Sequence, residues 1–148
     1  MKHEGYIDID QPIELVTSYF LDPRHIGEYQ DGFVRKELKT GKQGQSGAVS
    51  KMYYENGKHK MELTETVISN KLPKSYEAFY HHKHMDNTMK CEFETLPNGS
   101  TRYKVMVEYT RIDWIMPRLF AILFPGMYKK PAREWMENFK RFVEAKVD

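Results

Sequence analysis

A chain of 148 residues with a single cysteine, Cys91, is expected to be one domain, long enough for a real core, with no internal disulfide and no thiolate metal cluster. Its formal charge of +2 gives no global field to steer it to nucleic acid, although 118–146 holds seven Lys and Arg against three Glu, a pattern expected of a solvated helix face. The start, Met1-Lys2-His3-Glu4-Gly5, lacks an apolar signal region, and the longest uncharged apolar run, Leu119 to Tyr128, is far short of a bilayer span. The expectation is a soluble, cytoplasmic protein.

Tyr6-Ile7-Asp8-Ile9-Asp10 alternates as a half-buried strand. Asp10-Gln11-Pro12 then supplies a cap residue and a proline suited to a first helical turn. Ile13, Val16 and Phe20 mark the buried side of that helix, which Asp22-Pro23 stops. A second helical turn over Arg24 to Tyr29 ends at Asp31-Gly32, and Phe33 to Leu38 extends towards a loop with Gly41, Gly44 and Gly47. That loop has no phosphate-binding spacing, and Gly44-Gln45-Ser46-Gly47-Ala48 fails as a nucleophile elbow because its fifth residue is Ala.

Two hairpins follow. Asn56-Gly57 between extended runs predicts a two-residue turn, with Tyr54 opposite His59, Met52 opposite Met61, Ser50 opposite Leu63, and Lys51 against Glu62 on the other face. One face then carries Tyr54, Met52, Ser50, Ala48, Met61, Leu63 and Glu65, an apolar wall with a carboxylate in it. A strand over Tyr76 to His82 presents Tyr76, Ala78 and Tyr80. Asn87 to Leu96 and Arg102 to Arg111 form the second hairpin, around Pro97-Asn98-Gly99-Ser100. Keeping its faces unmixed there sets Phe93 against Val105, Cys91 against Val107, Met89 against Tyr109 and Lys90 against Glu108.

The stretch Asp113 to Lys146 is the element around which the strands are expected to be organised. Trp114 to Tyr128 is apolar nearly all round and is interrupted by Pro117, Pro125 and Gly126, which predicts a helix that breaks or kinks near Phe124. Beyond it Trp135, Met136, Phe139, Phe142 and Val143 recur at helical spacing with charges opposite. So apolar a helix needs a large surface, and seven short strands forming a curved antiparallel sheet supply it.

This order of elements resembles the START/Bet v 1-like (SRPBCC) superfamily, which includes small bacterial polyketide cyclase/dehydrase-like proteins. The resemblance is carried by Ile9-Asp10-Gln11-Pro12 through Val16-Thr17-Ser18-Tyr19-Phe20-Leu21-Asp22-Pro23, the Gly44/Gly47 loop before a long hairpin, and the closing Phe139-Lys140-Arg141-Phe142-Val143-Glu144. It covers essentially the whole chain. It implies an α+β helix-grip fold, with the sheet wrapped around the C-terminal helix, two short helices after strand one, and a deep cavity for a hydrophobic small molecule such as a lipid, sterol or polyketide. The superfamily shares no catalytic residues, so the resemblance assigns none.

The expected lining is Met52, Tyr54, Met61, Leu63, Tyr80, Cys91, Phe93, Val105 and Tyr109 from the sheet, faced by Phe120, Leu123, Phe124 and Met127. Large flexible side chains suit a cavity that reshapes around its ligand; aromatics are 14% of the chain and there are nine Met. Catalytic candidates are Glu65, whose pKa an apolar wall would raise, and the phenols Tyr80 and Tyr109, with Tyr54 as a further donor. His81-His82-Lys83-His84 lacks a carboxylate partner at ligand spacing, so neither a metal nor a cofactor is expected.

These features carry three functional readings. The preferred one is a binding module for an apolar small molecule. A cyclase- or isomerase-like enzyme would use Glu65 with a tyrosine as acid and base. A membrane-surface protein would use Trp114, Ile115, Phe120 and Phe124, flanked by Arg118, Lys129 and Lys130.

Overall fold

The computed structural model describes residues 2–20, 22–123 and 131–146, and for 120–123 and 131–132 the backbone alone. Strand β1 (Lys2–Ile9) leads into helix α1 (Ile13–Phe20) and a single 3-10 turn, Ile26–Glu28. Six strands follow: β2 (Phe33–Thr40), β3 (Val49–Asn56), β4 (His59–Lys71), β5 (Ser75–His82), β6 (Met85–Thr95) and β7 (Thr101–Ile112). Helices α2 (Met116–Leu123) and α3 (Pro131–Glu144) close the chain. The break expected near Phe124 falls at residues outside those described.

All seven strands form one antiparallel sheet in the order β1-β7-β6-β5-β4-β3-β2. Bulges in β2, β4 and β7 bend it. Helix α3 lies along β1 and meets α1, while α2 packs against β3 and β4. Side chains of α3 complete the hydrogen bonding of the β1 edge. Arg133 donates to the Tyr6 carbonyl at 2.9 Å, Lys140 donates to the Asp8 carbonyl at 2.8 Å, and Glu144 accepts from the Asp10 amide at 2.7 Å. An edge strand that would otherwise offer open backbone groups is thereby covered.

Both hairpins have the predicted faces and a different register. In β3–β4, Tyr54 stands opposite Met61, Met52 opposite Leu63 and Ser50 opposite Glu65, two residues away from the expected pairing. A turn centred on Asn56-Gly57 needs positive φ at both central residues, and among the described residues none but glycines has positive φ. Gly57, at φ 61°, instead takes the first central position, with Lys58 second. Because the slip is two residues, every side chain keeps its face. Lys51 and Glu62 still meet, now diagonally, at 2.6 Å.

In β6–β7, Phe93 pairs with Tyr103, Cys91 with Val105, Met89 with Val107 and Asn87 with Tyr109, again two residues from expectation; Lys90 faces Met106 and not Glu108. Pro97 occupies the second position of a turn closed by the Gly99 amide donating to the Leu96 carbonyl at 2.9 Å. Gly99, at φ 88°, then returns the chain, and the Leu96 amide donates to the Ser100 carbonyl at 2.8 Å. The turn is therefore centred one residue nearer the N-terminus than the face-matching argument places it.

The glycine-rich loop after β2 is a structural corner. Gly41 and Gly47 both have positive φ, 82° and 87°, but a Cβ on Gly41 would sit 2.9 Å from the Ala48 Cα, whereas one on Gly47 would meet nothing within 4 Å. Gly47→Ala should cost about 1–2 kcal/mol from the left-handed backbone alone. Gly41→Ala should cost a further ~1–3 kcal/mol, since backbone must move. Urea denaturation of the two variants checks the difference.

Candidate functional site

The inner face of the sheet and the helices above it enclose a cavity of about 170 Å³. Its apolar wall is largely methionine and aromatic: Met52, Met61, Met85, Met89 and Met136, with Phe20, Tyr103 and Phe139. One end is closed by a ring cluster. Phe20 meets Tyr76, Phe93, Tyr103 and Phe139 edge to face at 5.1–6.0 Å, while Tyr29 meets Phe139 at 4.9 Å. At the other side Trp135 of α3 stacks on Tyr54 of β3, their planes 11° apart. These edge-to-face and stacked arrangements are those aromatic quadrupoles favour.

A polar group is built into this wall. Glu65 comes from β4, Tyr80 from the facing position of β5, and Lys36 from β2, where it pairs with Met52. The Lys36 ammonium lies 2.8 Å from Glu65 Oε1, with the two side chains only 4% and 5% exposed. Tyr80 donates its hydroxyl to Glu65 Oε2 at 2.7 Å. Oε2 is thus hydrogen-bonded, Oε1 is held by the Lys36 charge without a hydrogen bond among the described residues, and the ion pair is neutral as a unit. Burial, together with the negative Glu65, pushes the phenols of Tyr54, Tyr76 and Tyr80 well above their ordinary range, so each is a hydrogen-bond donor in the neutral form. Tyr54 donates to Gln30 Oε1 at 2.6 Å. Burial also raises the Tyr109 phenol.

Of the residues expected to line the cavity, Met52, Tyr54, Met61, Leu63, Tyr80, Val105 and Tyr109 do so, and Glu65 stands among them. Cys91 and Phe93 are buried behind that wall: Phe93 stacks flat on Tyr103 with centroids 4.9 Å apart, and Cys91 Sγ lies 3.7 Å from the Tyr103 hydroxyl. The side chains of Phe120 and Leu123, and Phe124 and Met127 entirely, lie outside the described residues. Wall residues outside the expected lining include Lys36, Gln30, Asn87 and Tyr76 among the polar groups, and Met85, Met89, Tyr103, Trp135, Met136 and Phe139 among the larger apolar ones.

Desolvation pushes the Cys91 thiol up to about 12, which leaves almost no thiolate at neutral pH. Iodoacetamide at pH 8 should therefore leave the native protein unlabelled and modify it once urea unfolds it; rapid native labelling, read by mass, would show that the interior opens.

The histidines near the β5–β6 turn are engaged locally. His81 Nδ1 is 2.6 Å from Asp86, His84 Nδ1 is 2.6 Å from Asp113, and buried His82 accepts the His84 amide at 3.1 Å. Among the described residues no group of three or more His, Cys, Asp or Glu could hold a metal ion, and no helix is long and apolar enough to cross a membrane. Trp114 is 78% exposed, directly before α2.

No protein-family model matches the sequence, and no curated protein matches it. Solved structures do. Ara h 8.0201 superposes with a TM-score of 0.77 at 10% identity, over 99% of each chain. The Zhui aromatase/cyclase from Streptomyces sp. R1128 gives 0.76 at 10% identity, over all of this chain and 96% of that one. The fold is the Bet v 1-like helix grip. A third Bet v 1-like structure, the ginseng major latex-like protein 151 from Panax ginseng, gives 0.69 at 12% identity over 97% of each chain. Identity this low establishes shared architecture and leaves the chemistry to each chain's own residues. In this chain, those are the methionine-rich wall and the Lys36–Glu65–Tyr80 group.

Proposed function

We propose that this protein binds a hydrophobic small molecule in the cavity between the sheet and α3. The observation that carries the reading is the cavity itself, about 170 Å³ and walled mainly by methionine and aromatic side chains. An engineered apolar cavity of roughly 150 Å³ takes benzene, so the space as it stands suits one ring. Lipids or polyketides of greater length require Met52, Met61, Met85, Met89 and Met136 to swing aside, which unbranched thioether side chains do readily.

Native mass spectrometry of gently purified protein, followed by denaturing extraction, tests this. A discrete adduct that is lost on denaturation, with an apolar molecule in the extract, is the expected result. A protein that stays free of adduct after incubation with one-ring, lipid and polyketide-like compounds would remove the reading.

A second reading, a cyclase- or isomerase-like enzyme, draws on the 2.7 Å contact between Glu65 and Tyr80 in the cavity wall and on the aromatase/cyclase among the structural neighbours. It requires Glu65→Gln to abolish turnover while leaving binding intact. Binding is the better supported of the two, because Lys36 and Tyr80 already occupy the carboxylate that would move the proton.

A further inference from the structure

The polar inventory of the cavity defines a ligand more narrowly than its size does. Lys36 and Glu65 neutralise each other at 2.8 Å, the second Glu65 oxygen accepts from Tyr80, and the Tyr54 hydroxyl is given to Gln30. Tyr76 is different. It lines the cavity, is 2% exposed, and its buried hydroxyl has no hydrogen-bond partner among the described residues. Its neighbours include the Phe20 ring, edge to face at 5.7 Å, and its sheet partner Cys91, and neither hydrogen-bonds it. A buried hydroxyl without a partner is costly, and a bound acceptor removes that cost.

We infer that the cavity takes a neutral one-ring aromatic carrying a single hydrogen-bond-accepting oxygen, such as an aryl ketone, with that oxygen accepting from the Tyr76 hydroxyl. The inference rests on the cavity-binding reading above and adds the ligand's polarity and charge to it. A carboxylate ligand would meet a cation already balanced by Glu65, so it would add an uncompensated charge to a buried site. A hydrocarbon of the same shape would fill the space but leave Tyr76 without a partner. The order of affinity follows: aryl ketone first, hydrocarbon second, aryl carboxylate last.

Three probes of near-equal shape test this by NMR titration at pH 7: acetophenone, ethylbenzene and benzoate. Wild-type protein should bind acetophenone at least fivefold more tightly than ethylbenzene and at least tenfold more tightly than benzoate. Tyr76→Phe should erase the advantage of acetophenone while changing ethylbenzene affinity less than twofold. The same variant, without ligand, should be no less stable than wild type, since it deletes a hydroxyl that bonds to nothing in the protein. Glu65→Gln, which leaves the Lys36 charge unbalanced, should improve benzoate binding at least tenfold.

Equal binding of acetophenone and ethylbenzene by wild type, or a Tyr76→Phe variant that keeps the preference for acetophenone, would overturn the inference while leaving the cavity reading in place. Benzoate as the best wild-type ligand would equally overturn it, by showing that Lys36 leaves Glu65 for the ligand. No binding of any probe would overturn the inference and the one-ring cavity with it.

Discussion

Lys36→Met should destabilise the protein by about 3–5 kcal/mol, a large share of the total for a domain of this size. The substitution leaves the Glu65 carboxylate buried, with only the Tyr80 hydroxyl to hold it. Lys36→Met/Glu65→Leu should recover most of that loss, to within about 1 kcal/mol of wild type, because two apolar side chains replace two desolvated ions in a wall already built of methionine and leucine. Urea denaturation of wild type, both single variants and the double variant completes the cycle. Additive losses would mean that Lys36 and Glu65 do not sense each other, and that the 2.8 Å contact contributes nothing to folding.

A protein that would fold as well with an apolar pair keeps the ionic one at a cost, and its position explains the use. The pair sits in the cavity wall beside Tyr54, Tyr76 and Tyr80, where it accepts the Tyr80 hydroxyl and, under the binding function proposed above, would set the charge a ligand meets.

The face of each central strand was legible in the sequence because side-chain alternation has a period of two and survives an error of two residues in register. Glu65 could be placed on the apolar wall in that way, even though its partner across β3 is Ser50 and the turn lies on Gly57-Lys58. Lys36 could not. Alternation from Phe33, which packs on Tyr54, assigns Lys36 to the outer face, and the bulge at Val34 returns it to the inner one. A bulge depends on pairing with a neighbouring strand, and nothing local in Phe33-Val34-Arg35-Lys36 announces it. Trp135 and Met136 were legible as a buried helical face, since α3 is amphipathic, but which part of that face meets the cavity follows from how α3 lies along β1, held by Arg133, Lys140 and Glu144.

Phe139→Ala should cost about 3–5 kcal/mol, the loss expected when a buried aromatic ring is deleted from a packed core. Phe139 is 2% exposed and touches the rings of Phe20, Tyr29 and Tyr103. It also lines the cavity, so the space its ring vacates should join the existing one instead of closing. A two-ring hydrocarbon such as naphthalene should then bind the variant more tightly than wild type and raise its melting temperature in proportion to the logarithm of ligand concentration. Val143→Ala separates the two contributions. Val143 is fully buried one turn further along α3 but does not line the cavity, so its truncation should cost about 2 kcal/mol with no gain in naphthalene binding. Thermal melts of both variants with and without naphthalene decide the matter: rescue of Phe139→Ala alone places its ring in the cavity wall, whereas rescue of neither makes Phe139 ordinary core and moves the binding space towards Trp135 and Met136.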